Sequence, residues 1–178
     1  LLNKYDRPAL LIDTNLTSVE RARQKGMDAA PGNALEEQVL EELHAEEYAT
    51  FLAVTSNSEV NVLACQLVHD NFGIERAFPA LSNPAKGANP ALLKQTGGKL
   101  AFGQFISVAN WEIDETGIYE LSWQFPADRT AANARDVKLE AGLIPILRLR
   151  NGSAEIVHAE QSWQPGDTII ILSQHAPA

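Results

Sequence analysis

The sequence predicts an α/β fold in which a parallel sheet is followed by a smaller α+β unit. Before residue 82, short apolar runs alternate with amphipathic runs that begin at helix-capping signals. This βαβα order is typical of a parallel sheet with right-handed crossovers. After residue 117, strand-like runs are separated by the turn signals "NG" and "QPGD", which favour antiparallel pairing.

The first unit should contain four strands and three helices. Each strand segment is short and apolar, and each helix begins at a Ser, Thr or Asn followed three residues later by Glu. In "LEEQVLEELHAEEY" (35–48) the leucines and Val39 form an apolar stripe, and the glutamates form a solvated face. Gly26 and Gly73 should end the first and third helices. The predicted strands are 9–13, 27–30, 50–54 and 74–81, and the capping signals are 17–20, 33–36 and 56–59.

The remaining segments are assigned with the same signals. Between the units we predict a short helix at 89–98, a strand at 99–106 and a polar linker at 107–116. The second unit should contain strands at 118–125, 143–150, 153–160 and 167–173, with one short helix at 131–142. The predicted domains are therefore residues 1–106 and 117–178, joined by the linker at 107–116.

Charge and composition limit the possible partners. The 178 residues carry a formal net charge of −9, so we expect no nucleic-acid partner, which would require a basic face. No run of 18 apolar residues is present, and no signal peptide is visible. We therefore expect the chain itself to be soluble and cytosolic. Its start at Leu1 rather than Met suggests a piece of a longer protein.

We predict no catalytic and no metal-binding residues. The four histidines do not have the spacing of a zinc site, and no G-x-S-x-G motif occurs. Cys65 is the one cysteine, and it lies in an apolar helical stretch, where it is expected to be a small buried side chain.

Polar residues gather where three predicted strands end. Ligands of parallel α/β sheets bind at the carboxyl ends of the strands, next to the helix N-termini. An Asp at such an end can accept two hydrogen bonds from ribose hydroxyls, and Asn33 and Thr55 could contact an adenine edge or another ribose oxygen. Helix capping alone is the alternative explanation. The candidate ligand-binding residues are Asp13, Thr14, Asn15, Asn33, Ala34, Thr55 and Ser56.

The first 106 residues resemble a known family. "LLIDTN", the "PGNAL" turn and "VTSNSEVN" look like the regulatory RCK/KTN (TrkA-N type) domains of bacterial potassium channels, potassium uptake systems and cation/proton antiporters. The tail "LIPILRLRNGSAEIVHAEQSWQPGDTIIIL", with Gly166-Asp167 before its last strand, looks like a TrkA-C module. The resemblance implies a truncated Rossmann-like parallel sheet followed by a small α+β TrkA-C-like module.

The resemblance also explains why "LLIDTN" lies so near the N-terminus of the given sequence. It looks like the second strand of the family, and "LLNKYD" like the end of the first helix. The family's G-x-G-x-x-G phosphate loop occurs nowhere in these 178 residues. The strands at 9–13 and 50–54 should then face a gap in the sheet. A ligand such as NAD(H) or ATP/ADP is implied for a full-length protein, and none is expected to bind tightly to this chain.

The implied function is a non-enzymatic, ligand-sensing and oligomerisation module of a monovalent-cation transporter. A sodium or potassium/proton antiporter is favoured, with the module at the cytoplasmic face of the cell membrane. Its implied partners are a homo-oligomer and the membrane part of the transporter. Two alternatives remain open: a fragment of an NAD-dependent oxidoreductase, and an oligomerisation module whose nucleotide site has decayed.

Overall fold

The computed structural model describes residues 2–5, 7–82, 99–111, 118–140 and 142–174. The first unit alternates strands and α-helices, as the sequence predicts. In chain order they are β1 (Leu10–Asp13), α1 (Leu16–Gln24), β2 (Asp28–Pro31), α2 (Glu37–Glu42), β3 (Phe51–Ala53), α3 (Ser58–Phe72) and β4 (Ala77–Pro79). Short 3₁₀ turns occupy Leu2–Tyr5 and Ala45–Glu47.

These strands form two parallel pairs rather than one sheet. β1 pairs with β2, and β3 pairs with β4. Within the described residues β1 and β3 lie in different sheets, in agreement with the gap predicted between them. The extended segment 99–101 lies along the other side of β4, because Lys99 N donates to Ala77 O (3.2 Å) and Ala101 N to Pro79 O (3.0 Å). The predicted strand at 99–106 is thus short, and a tight turn at Phe102 and Gly103 ends it.

Asparagine side chains, rather than the predicted capping boxes, begin two of the helices. Asn15 Oδ1 accepts from Thr17 N (2.9 Å) and Ser18 N (3.4 Å), and Asn57 Oδ1 accepts from Glu59 N (2.9 Å) and Val60 N (3.2 Å). Each Asn therefore satisfies two backbone N–H groups that a helix start leaves unpaired. Gly73 ends α3 at a φ of 65°, as predicted.

The second helix is much shorter than its apolar stripe suggests. The prediction of a helix extending to Tyr48 is wrong, because α2 ends at Glu42. His44 adopts a left-handed conformation, with a φ of 53°, and a 3₁₀ turn follows it. A left-handed residue cannot continue an α-helix, so Ala45 reaches the core by this bend instead.

The second unit is built on an antiparallel sheet. Its strands are β5 (Tyr119–Gln124), β6 (Ala132–Asn133), β7 (Leu143–Arg150), β8 (Ser153–Ile156), β9 (Ser162–Trp163) and β10 (Thr168–Ser173). The sheet order is β5-β10-β7-β8, and a two-stranded ribbon pairs β6 with β9. A 3₁₀ turn, Val108–Trp111, lies within the predicted linker.

The predicted helix at 131–142 is wrong. The described part of the segment holds β6 and a 3₁₀ turn, Ala134–Asp136. Ala134 N donates to Gln161 O (2.8 Å) and Arg135 N to Ala159 O (3.3 Å), so pairing with a distant segment overrides local helix propensity. The predicted helix at 89–98 lies outside the described residues.

A shared apolar core joins the two units. Phe78 and Ala80 of the first unit pack with Ile144, Leu147 and Ile156 of the second. Two backbone hydrogen bonds, Phe102 N to Val157 O (2.7 Å) and Ala159 N to Leu100 O (2.9 Å), cross the same junction. The domain limits 1–106 and 117–178 stay a prediction, but the backbone of the segment 99–102 forms hydrogen bonds with both units.

His158 makes this junction sensitive to acid. Its ring stacks on Phe78 with centroids 4.9 Å apart, and its buried Nδ1 has no hydrogen-bond partner among the described residues. The pKa of His158 is lowered to about 4, and burial is the largest cause. The positive charges of Lys99, Arg76 and Arg148 act in the same direction, and the negative charge of Glu155 opposes them.

We expect unfolding stability to fall as the pH drops from about 6.5 to about 4. In this window the unfolded chain takes up a proton at His158 that the folded chain refuses, so protonation favours unfolding. After discounting for partial exposure, the loss should be about 1–2 kcal/mol. Urea unfolding at several pH values measures it, and His158→Phe, which keeps the stacked ring, should flatten this part of the profile. If His158→Phe leaves the pH dependence of unfolding stability unchanged, groups other than His158 cause the loss of stability in acid.

In the part of the chain that the structure describes, no helix is both long and apolar enough to cross a membrane.

Candidate functional site

Asp13 closes β1 and keeps part of its carboxylate available. The side chain is partly buried, and Oδ1 accepts a hydrogen bond from Asn15 N (2.8 Å). No donor among the described residues reaches Oδ2, so this oxygen can accept one from a ligand hydroxyl. Thr14 and Asn15 are exposed, but the Asn15 side chain is already engaged in capping α1.

The end of β2 lies directly beside the end of β1. Gly32 N donates to Asp13 O (3.0 Å), which brings Asn33 next to Asp13. Asn33 Oδ1 accepts from Leu35 N (3.0 Å), and its Nδ2 donates to Glu36 Oε1 (3.2 Å). Asn33 therefore shapes the turn into α2, while Ala34 packs against the core cluster below.

Gly32 is required here by close packing. A Cβ on Gly32 would lie 2.5 Å from Cγ1 of Val39, and the branched Val39 side chain has little rotamer freedom in a helix. Gly32→Ala should therefore lower unfolding stability by about 1–3 kcal/mol. Chemical denaturation measures the loss. In a Val39→Ala background, Gly32→Ala should lower stability clearly less than it does in the unmodified chain. Equal losses in the two backgrounds would show that the contact with Val39 is not the cause.

Thr55 lies at the end of β3, but its polar groups are bound internally. Its backbone N (2.9 Å) and its Oγ1 (2.7 Å) both donate to Asn61 Oδ1, and Oγ1 also accepts from Asn57 N (3.2 Å). Ser56 is exposed. The Thr55 hydroxyl thus holds the loop in shape, and a ligand would meet the outer surface of this loop.

Asn61 is the residue that sequence reasoning missed. It is 0% exposed and uses both ends of its amide, because Nδ2 donates to Thr55 O (2.9 Å) and Ala80 O (2.8 Å). The available signal was its position in α3, where it shares the buried stripe with Cys65 and Val68. A buried Asn on an apolar stripe must have hydrogen-bond partners.

The predicted site residues are only partly brought together. Asp13, Asn33 and their neighbours form one cluster at the ends of β1 and β2. Thr55 and Ser56 belong to the other parallel pair, and no hydrogen bond among the described residues connects them to Asp13 or Asn33. The cluster around Asp13 and Asn33 and the pair Thr55 and Ser56 therefore lie at the ends of two separate parallel strand pairs.

Other chemistry has little support in the described residues. They contain no group of three or more His, Cys, Asp or Glu side chains that could hold a metal ion. Burial raises the pKa of the Cys65 thiol to about 12, so it stays protonated and unreactive at neutral pH.

Known proteins resemble this chain along most of its length. Two solved structures are distant matches: a GsuK channel (14% identity, TM-score 0.47, 97% of this chain and 34% of that one) and a GsuK RCK domain (11% identity, TM-score 0.38, 92% and 43%). A curated relative from Archaeoglobus fulgidus, a Trk system potassium uptake protein TrkA homolog, is 22% identical over 182 residues, with 93% of this chain aligned. The chain spans only 42% of that relative. The TrkA-N domain model matches residues 1–97, which contain all seven predicted site residues and both strand-end clusters. The chain belongs to the TrkA-N domain family.

Proposed function

We propose that this chain is a cytosolic regulatory module that senses a ligand and controls a monovalent-cation transport system. The match of the TrkA-N model to residues 1–97 carries this proposal. The name of the curated relative, a potassium uptake protein homolog, favours potassium transport. A sodium or potassium/proton antiporter is the finer assignment, with the module at the cytoplasmic face of the cell membrane.

The ligand that we propose is NAD(H) or an adenine nucleotide, bound where β1 and β2 end. The carboxylate of Asp13 is partly buried there and keeps one oxygen that no donor among the described residues reaches, and carboxylate oxygens suit ribose hydroxyls. The ligand would be sensed and not converted, so the module is proposed to be non-enzymatic. Binding would favour one arrangement of paired modules over another and so bias the attached membrane part.

Ion flux through the intact transporter tests this function. In vesicles, ATP, ADP or NADH added on the cytoplasmic side should change the flux, and Asp13→Ala should remove the response while basal flux remains. Glu20→Ala, an exposed carboxylate on α1, is the matched control and should respond like the unmodified transporter. A flux that none of the three ligands alters would refute the proposal.

We further expect the chain to be at least a dimer. The edges of β1 and β3 that face away from β2 and β4 are unpaired among the described residues, and exposed strand edges tend to pair with other chains. Light scattering at high micromolar concentration should give twice the monomer mass of 19.4 kDa or more. A monomer mass would contradict this expectation.

A further inference from the structure

A cavity lies away from the strand ends, beside the junction of the two units. Its volume is about 260 Å³. One wall is the turn at 102–104, which directly follows the segment 99–101 that pairs with β4. The other wall comes from the connector at 134–139, which follows β6. Pro145 of β7 completes it. This cavity is separate from the proposed nucleotide site where β1 and β2 end, because its lining does not include Asp13, Asn33 or Thr55.

Two cations that have no partner among the described residues line the cavity. Arg135 and Lys138 are both exposed, and neither side chain forms an ion pair or a hydrogen bond within the described residues. This arrangement is unusual for a chain with a formal net charge of −9, in which acidic groups outnumber basic ones. Two cations that line the same cavity attract an anionic group.

Apart from Gln104, whose Nε2 donates to Leu143 O (2.7 Å), the rest of the wall is apolar. Phe102 is 5% exposed and has a φ of 60°, a conformation that is rare for a bulky side chain. It is fixed there by the bond from its N to Val157 O. The next residue, Gly103, approaches Ala134 so closely that a Cβ would lie 3.2 Å from that of Ala134. Backbone strain of this kind is found where a binding surface must be held in one shape.

We propose that this cavity binds a small organic anion. Its carboxylate or phosphate would pair with Arg135 and Lys138, and its apolar body would pack against Phe102, Leu139 and Pro145. A mixture of apolar wall and few converging polar groups is typical of small-molecule sites. Because the two walls belong to opposite sides of the junction, the bound anion would hold the two units together.

Benzoate and its neutral isostere benzamide are suitable probes, used on the full chain with nitrogen-15 NMR. Benzoate should shift the amides of residues 102–104 and 134–139, with a Kd on the order of 1 mM. Benzamide should bind at least about tenfold more weakly. The double variant Arg135→Gln/Lys138→Gln should lose binding, whereas Arg129→Gln, an exposed cation outside the cavity, should retain it.

Three results would overturn the proposal: no shift at about 20 mM benzoate, equal binding of benzoate and benzamide, or shifts that map elsewhere. A thermal melt of each variant separates loss of binding from loss of folding. Nucleotide binding at β1 and β2 does not affect this outcome, so the two proposals can fail independently.

Discussion

Asn61→Ala is expected to lower the free energy of unfolding by about 3–5 kcal/mol. The side chain is completely buried and forms four hydrogen bonds, three with Thr55 and one with Ala80. Removing it leaves the Thr55 amide and the Ala80 carbonyl without their partners. Each buried polar group left unsatisfied costs about 1–3 kcal/mol, and the cavity that remains adds to this loss.

Thermal and urea denaturation measure this effect, and helix α3 offers two matched controls. Asn71→Ala changes an exposed Asn of the same helix and should alter stability by less than about 0.5 kcal/mol. Asn57→Ala removes the exposed cap and should cost about 1 kcal/mol. If Asn61→Ala costs no more than Asn57→Ala, the buried network does not hold the β3–α3 loop as described.

The case of Asn61 shows why the site was only partly predictable. Asp13, Asn33 and Thr55 could be placed at strand ends, because strand and helix order follows from local hydrophobic periodicity and capping. The role of Asn61 depends on the Ala80 carbonyl, 19 residues away, and no local pattern encodes that partner. The same network shows that the Thr55 hydroxyl is occupied, which its sequence position could not show.

The errors in the fold have a similar physical origin. "AANARDVKLEAG" has acceptable helix propensity, but Ala134 and Arg135 gain backbone hydrogen bonds to Gln161 and Ala159. Propensity differs by only a few tenths of a kcal/mol between such residues, so distant pairing decides the conformation. The helix after Gly32 ends early because His44 bends the chain toward the core. Helix α3, in contrast, has strong local signals at both ends, Asn57 and Gly73, and its extent is as predicted.

The 178-residue chain should bind NAD, ATP and ADP with Kd values weaker than about 10 μM. The Asp13 carboxylate should still accept a hydrogen bond from a ribose hydroxyl, and Asn33 lies beside Asp13. The phosphates, however, lack a glycine-rich loop, since no G-x-G-x-x-G occurs in these residues. In dinucleotide sites that loop and the following helix N-terminus supply the backbone N–H groups that bind phosphate.

The expected loss is large compared with the whole binding energy. Hydrogen bonds to charged groups contribute about 1.5–3 kcal/mol each, so two or three missing ones cost about 3–9 kcal/mol. A micromolar site corresponds to about −8.2 kcal/mol. Most of the affinity should therefore be absent, although Asp13 keeps a carboxylate oxygen that no donor among the described residues reaches.

Isothermal titration calorimetry with each of the three ligands measures this directly. A version extended at its N-terminus by an apolar strand and a G-x-G-x-x-G loop should recover binding, because the added strand can pair between the open edges of β1 and β3. In that version Asp13→Ala should weaken binding, whereas Glu20→Ala should not. A Kd on the order of 10 μM or tighter for the 178-residue chain would show instead that the site does not depend on a phosphate loop. The ribose and base contacts at β1 and β2 would then have to supply nearly all of the affinity.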